Sequence, residues 1–231
     1  IASQVAFLKV LHPILKASGL NTVISASEET DAAQSVRDFE GYQAAGMLPL
    51  VGQWNTHTYS ATTQARSQIS ALCKEQGIRL WMSEVGSGGS GITGNLNLAQ
   101  KLMDDIRYIM PVAWVDWQYV EEGNDQWCLV QGDFTKQTYH KVKNYSIRQH
   151  FSKFIRPGYT FLTSLNGQTL AARNPEGDSL IIVAINPNAL PVVHRADLSF
   201  YESISSGLTA LRSSETEDLS PTVDYTLEDR I

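Results

Sequence analysis

The sequence predicts an α/β fold with parallel strands, followed by an antiparallel β segment. Two observations carry this. Up to about residue 158, stretches with apolar residues at helical spacing alternate with short apolar runs of strand length. Beyond that point no helical period remains, and short β-like runs are separated by turn signals. Strands alternating with helices at this spacing imply right-handed crossovers in a parallel sheet.

The elements follow in order. Residues 3–18 place Val5, Leu8, Leu11 and Leu15 on one helical face, and Gly19 closes the run. NTVISASEE gives a strand over 21–26, and a helix covers 31–45 with Asp31 or Thr30 as N-cap. LVGQWNTHTYS gives a strand at 50–56; residues 62–76 form a helix stopped by Gly77. RLWMSEV is a strand at 79–84, and Asn95 is the expected N-cap of a helix over 96–110. AWVDWQYVE supplies a strand at 113–119, and the last helix spans 139–155. From Tyr159 onward the β-like runs are TFLTSL, TLAARN, SLIIVAIN and ADLSFY. Asn166-Gly167, PEGD at 175–178 and NPN at 186–188 punctuate them, and LSPTVDYTLEDRI has room for one more strand. The expected domains are therefore 1–158 and 159–231.

Composition excludes several function classes. The chain of 231 residues carries 18 Lys and Arg against 24 Asp and Glu, a net charge of −6, and no basic cluster. Phosphate neutralisation needs a Lys/Arg face, so no nucleic-acid partner is expected, and no membrane-surface role. The apolar stretches are too short for a transmembrane helix. No metal-ligand spacing occurs among the five histidines and two cysteines, and no metal or cofactor is expected. Cys73, in a helix, and Cys128 read as free thiols.

GSGGSG, from Gly86 to Gly91, fits GxGxxG. A dinucleotide turn needs a helix directly behind it and an acid ending the next strand. Here ITGN separates the glycines from the expected helix, and Asp104 and Asp105 fall inside that helix. A surface loop without a task is a plainer reading. A third reading is that the glycines let the loop pass close to a ligand beside Glu84.

The third reading gains from where the reactive side chains fall. Ser27, Glu28 and Glu29 follow the first strand, and Asn55, His57 and Tyr59 the second. Glu84 ends the third, and Trp117, Gln118 and Glu121 end the fourth. In a β/α barrel the active site sits at that face. Aromatic faces beside carboxylates suit sugar rings, and carboxylates on separate strands suit glycoside hydrolysis.

Four stretches then carry a family resemblance. LNTVISASEET, QWNTHTYSA, RLWMSEVGSGG and AWVDWQYVE resemble, in order, the fifth to eighth barrel strands of family 30 glycoside hydrolases, in the endo-β-1,6-galactanase-like branch. FSKFIRPGYTFL is similar to the family's link into its side β domain, and LRSSETEDL resembles a late segment of it. The resemblance implies the C-terminal half of a (β/α)8 barrel followed by an antiparallel β side domain. It implies a retaining glycosidase acting on carbohydrate, with Glu84 as nucleophile. His57 and Tyr59 would line the site, Trp117 would floor a sugar subsite, and Glu28, Asn55 and Gln118 would contact substrate. Trp54 and Trp81 alternate with polar neighbours and read as core.

The family's general acid is a glutamate in an Asn-Glu-Pro type motif after the fourth barrel strand, and no such motif occurs here. The chain opens at Ile1 inside a helical pattern, which reads as the start of a C-terminal fragment lacking the first four strands. Glu28, Glu29 and Glu121 are possible substitute acids without support from the family pattern. The expectation is a chain that is inactive or poorly active until another segment or chain completes the site. β-1,6-Galactan is the favoured substrate, with β-1,6-glucan, xylan and glucosylceramide-like substrates open. The alternative is a non-catalytic carbohydrate-binding protein. An extracellular or periplasmic location follows by resemblance only.

Overall fold

The computed structural model describes residues 1–231 except 87, 88, 90, 200, 202, 204–207, 224 and 227–231. It divides into two compact units: residues 1–86 with 104–118, and residues 87–103 with 119–231.

The first unit holds α1 (Ala2–Ala17), β1 (Ile24–Glu29), α2 (Ala32–Ala44), β2 (Val51–His57), α3 (Thr63–Glu75) and β3 (Arg79–Val85). The last turns of α4 (Gly91–Tyr108) and strand β4 (Ala113–Asp116) complete it. The strands form one parallel sheet in the order β1-β2-β3-β4, as the alternation of elements predicts. Asp31 is the N-cap of α2, accepting from the N–H groups of Ala33 (2.8 Å) and Gln34 (3.0 Å). Thr62 caps α3 through Ala65 (3.2 Å). Gly77, at φ 65°, takes the left-handed position that ends α3.

The core lies between the sheet and its helices. Ile24, Val51, Trp54, Leu80 and Met82 from the strands meet Val36, Phe39, Ile69 and Cys73 from α2 and α3. Trp54 is fully buried, edge-on to Phe39 (4.9 Å) and Tyr42 (5.2 Å), and donates its indole N–H to Ser35 Oγ (2.8 Å). The core reading of Trp54 therefore holds, whereas Trp81 is only half-buried. On α1, Leu8 is buried in this core and Val5, Leu11 and Leu15 pack against the core partly buried, while Phe7, Val10 and Ile14 form an exposed stripe.

Strand alternation breaks at three places, each marked by one extra residue. Gly52 is the extra residue of β2 opposite β1. Glu28 is unpaired between the Ser27–Asn55 and Glu29–Thr56 pairs. Ser83 is unpaired between the Thr56–Met82 and His57–Glu84 pairs. Such bulges re-aim side chains at strand ends.

The second unit contains β5 (Val120–Glu122), β6 (Val130–Asp133), β7 (Thr138–Lys141) and α5 (Lys143–Ser152). It continues with β8 (Thr160–Leu162), β9 (Thr169–Arg173), β10 (Leu180–Ala184), β11 (Ala210–Arg212) and β12 (Ser220–Thr222). The strands after residue 158 pair antiparallel, in the order β10-β9-β8 and as the β11-β12 pair. The fold class predicted from the sequence, a parallel β/α portion of barrel type followed by antiparallel β structure, is what the structure shows.

Several local expectations are corrected. The fourth parallel strand ends at Asp116, not at residue 119, and β5 begins a separate three-stranded sheet, β5-β6-β7. Residues 138–141 pair with β6, so the last helix starts at Lys143. The turn before β7, with Gln137 at φ 54° and Asp133 accepting from the Lys136 N–H (2.9 Å), lacks the usual glycine signal. ADLSFY forms no strand among its described residues, and Phe200 lies outside them. Asn95 is no N-cap: α4 already begins at Gly91, and Asn95 is buried inside it, donating to Asn144 Oδ1 (2.7 Å). Burial and that bond hold ITGN helical against its weak propensity. The helix thus begins at Gly91, the last residue of the glycine pattern, contrary to the separation expected; Ser87, Gly88 and Ser90 lie outside the described residues.

Candidate active site

The site forms where β1, β2 and β3 end, entirely within the first unit. Gln53 and Asn55 project from the sheet face opposite the helices, with Ser25 beside them. The Asn55 amide donates to Ser25 Oγ (2.7 Å) and to Glu28 Oε2, and Gln53 donates to Asn55 Oδ1 (3.0 Å). This network is part-buried, so each amide satisfied on the protein is one fewer loose polar group.

Two carboxylates flank one imidazole. His57 Nε2 lies 3.1 Å from Glu28 Oε1, and its Nδ1 lies 3.6 Å from Glu84 Oε1. The His57 side chain is 11% exposed, Glu84 28% and Glu28 47%, so the ring is walled in while both acids reach solvent. The bulges explain why both acids point here. Glu28 adopts φ 91°, a left-handed conformation uncommon for a side-chain-bearing residue, and its carboxylate turns toward His57. Ser83 and Glu84 both serve the site because the extra residue cancels one alternation. Ser83 Oγ donates to Glu28 Oε1, and Glu84 pairs in register with His57.

Tyr59 completes the arrangement. Its hydroxyl donates to Glu84 Oε1 (2.9 Å) and accepts the N–H of Gly86 (3.2 Å). Burial, then the hydrogen bond to Glu84, push its phenol above the ordinary range, so it stays a donor at neutral pH. His57 and Tyr59 meet edge to face at 6.0 Å. Both described contacts to Glu84 fall on Oε1.

The structure thus brings Glu28, Asn55, His57, Tyr59 and Glu84 into one connected group. Glu28 is less a free substrate contact than an acceptor on which Asn55, His57 and Ser83 converge. Trp117 and Gln118 follow β4. The Trp117 backbone N–H donates to Val85 O (3.1 Å), which sets this residue beside the end of β3, and Trp117 is 45% exposed. Ser83, Ser25 and Gln53 escaped sequence reasoning; Ser83 stands next to Glu84, but a bulge leaves no mark in an alternation pattern. Glu29 faces α2 and pairs with Asp38, and Glu121 lies in β5 of the second unit. Among the described residues no group of three or more His, Cys, Asp or Glu side chains is placed to hold a metal ion. Nor is any described helix long and apolar enough to cross a membrane.

Comparison with known proteins shows what the chain as a whole is similar to. No protein-family model matches the chain. It is similar to an endo-β-1,6-galactanase of Hypocrea rufa, 26% identical over 187 residues, covering 80% of this chain and 38% of that protein. It is also similar to an exo-β-1,6-galactobiohydrolase of Bifidobacterium longum subsp. longum, 30% identical over 109 residues, 44% of this chain and 7% of that protein. The chain therefore spans well under half the length of these relatives. Among solved structures, a glycoside hydrolase family 30 subfamily 8 xylanase from Clostridium acetobutylicum matches with TM-score 0.69 at 22% identity. That match covers 95% of this chain and 53% of the xylanase. A family 30 xylanase catalytic domain from Talaromyces cellulolyticus matches with TM-score 0.63 at 21% identity, over 79% of this chain and 43% of that one. These structural matches establish a shared fold.

Proposed function

We propose that the chain, similar to an endo-β-1,6-galactanase and sharing the fold of family 30 glycoside hydrolases, carries the nucleophile side of a retaining β-glycan hydrolase. Glu84 is the nucleophile. The observation that carries this reading is the Tyr59–Glu84–His57–Glu28 arrangement at the strand ends. In the first step Glu84 Oε2 attacks the anomeric carbon. The glycosidic C–O bond breaks as a carboxylic acid protonates the leaving oxygen, and a glycosyl-enzyme forms. In the second step water, deprotonated by the same carboxylate, releases the sugar and restores Glu84.

The acid is not Glu28. Three side-chain donors, from Asn55, His57 and Ser83, point at its oxygens, and an imidazole fills the space on the side of Glu84. A retaining pair needs about 5 Å of open distance for the sugar between its carboxyls. We assign the acid to a segment outside these 231 residues, so the isolated chain turns over natural glycosides poorly or not at all. The favoured substrate is β-1,6-galactan, on the strength of the two galactan-acting relatives. A polymer of that kind is met outside the cytoplasm, which is where we place the protein.

The test is covalent labelling of the chain with a panel of 2-fluoro glycosides, mapped by peptide mass spectrometry. Their good leaving groups relieve the need for the acid. A sugar on Glu84, lost in Glu84→Gln, supports the reading, and the reactive sugar identifies the substrate. Saturable sugar binding with no label on Glu84 would instead favour a non-catalytic binding protein.

A further inference from the structure

Behind the site lies a buried charge that the chemistry above does not use. Asp105, in the last turn of α4, is fully buried. It accepts from Arg66 Nε of α3 (2.7 Å), from Trp114 Nε1 of β4 (2.9 Å) and from Thr58 Oγ1 (2.9 Å). Arg66, itself buried, also donates to Ala61 O (2.6 Å). Burial pushes the Asp105 carboxyl up, while Arg66 and the other donors pull it down.

The position of Thr58 gives this cluster a direction. Thr58 is the residue between His57 and Tyr59, the two side chains that touch Glu84. Its neighbours point to the open face and Thr58 points inward, where its hydroxyl meets Asp105. Ala61, three residues further along the same segment, is held by Arg66 of the same ion pair. Removing one partner of a buried pair leaves an uncompensated charge, so such a pair resists any displacement of what it holds. Anchors at Thr58 and Ala61 therefore fix the backbone that carries His57 and Tyr59.

We propose that Asp105 is a positioning residue. Through Thr58 it sets the reach of His57 and Tyr59 to the Glu84 carboxylate. Its role in the reaction rests on Glu84 being the nucleophile; its role in placing His57 does not. A charge that only stabilised the fold would treat its donors alike. One that positions the site depends on Thr58 more than on Trp114, although both donate to the same oxygen, Oδ2.

The experiment compares Thr58→Val, Thr58→Ser and Trp114→Phe in the full 231-residue chain. The first readout is the long-range 1H–15N spectrum of the histidine rings, with His57 assigned from His57→Gln. The second is the rate constant for labelling Glu84 by a 2-fluoro glycoside at saturation. The expectation is that Thr58→Val moves the His57 signals and lowers the labelling rate constant roughly ten- to a hundredfold, the scale for a small misplacement of reacting groups. Thr58→Ser restores both, and Trp114→Phe leaves the His57 signals in place while lowering the melting temperature. If Thr58→Val does not fold, Thr58→Ala and Asp105→Asn replace it. Equal movement of the His57 signals in the Thr58 and Trp114 variants, or movement in neither, overturns the proposal. A wild-type chain never labelled at Glu84, with the His57 pattern still as expected, overturns the nucleophile assignment and leaves the positioning role standing.

Discussion

The Tyr59 hydroxyl donates to Glu84 Oε1 at 2.9 Å while accepting the N–H of Gly86, two residues beyond that glutamate. One phenol thus holds both the carboxylate and the start of the glycine loop. Tyr59→Phe removes the donor and leaves the ring. The expected outcome is a labelling rate constant at Glu84 lower by about a hundred- to a thousandfold, with binding of the reagent little changed and the fold intact. Saturation kinetics of labelling, giving rate and affinity separately, measure it.

Glu29 provides a pH test. A hydrogen bond shared with Asp38, then burial, then the Asp38 charge raise its carboxyl from 4.5 to about 7. A raised folded value means that the folded state holds the proton more tightly than the unfolded chain does. The stability contributed is complete below about 4.5 and is lost as pH climbs through about 7. Glu29→Gln mimics the protonated form. Its melting temperature relative to wild type should therefore rise between pH 4.5 and 8. A constant difference across that range contradicts the shared proton.

The cysteines should be silent in the native chain. Cys73 is 1% exposed with its thiol pushed up to about 12 by burial, and buried Cys128 is raised by the same cause. The reactive species is the thiolate. A chromogenic disulfide reagent should therefore count almost no thiols in buffer and two in denaturant.

Gly52 tests packing at the first bulge. A Cβ built there would sit 2.7 Å from the Cβ of Val23. Because the position of the Val23 Cβ is set by the backbone, the clash cannot be relieved by a rotamer change. Gly52→Ala should cost about 1–3 kcal/mol, read by chemical denaturation. Adding Val23→Gly should recover part of it, since the offending atom is then gone.

Most of the framework was legible in the sequence because it follows periodicity. Leu80 and Met82 alternate with Arg79 and Trp81, and Asp31 sits where a cap belongs. The polar residues at the strand ends, Asn55, His57, Tyr59 and Glu84, could be named for the same reason: a parallel sheet collects them at one edge. What escaped depends on non-local partners. Asn95 looks like a cap until Asn144 is seen beside it. Tyr139 to Lys141 look helical until β6 supplies their hydrogen bonds. Asp105 looked like a failed ribose acid, and only the fold shows it meeting Thr58, 47 positions earlier.

The bulge at Ser83 has one more consequence. It makes the orientation of Glu84 a matter of parity. With the extra residue, Ser83 and Glu84 both serve the open face. Deleting Ser83 would leave Glu28, His57, Tyr59 and Glu84 in the chain, yet regular pairing would require either the strand or the glutamate to turn over. Strand length at this point therefore admits no slip. A relative that shortens or lengthens β3 by one residue must make a compensating change in a neighbouring strand, or lose the site while keeping Glu28, His57, Tyr59 and Glu84.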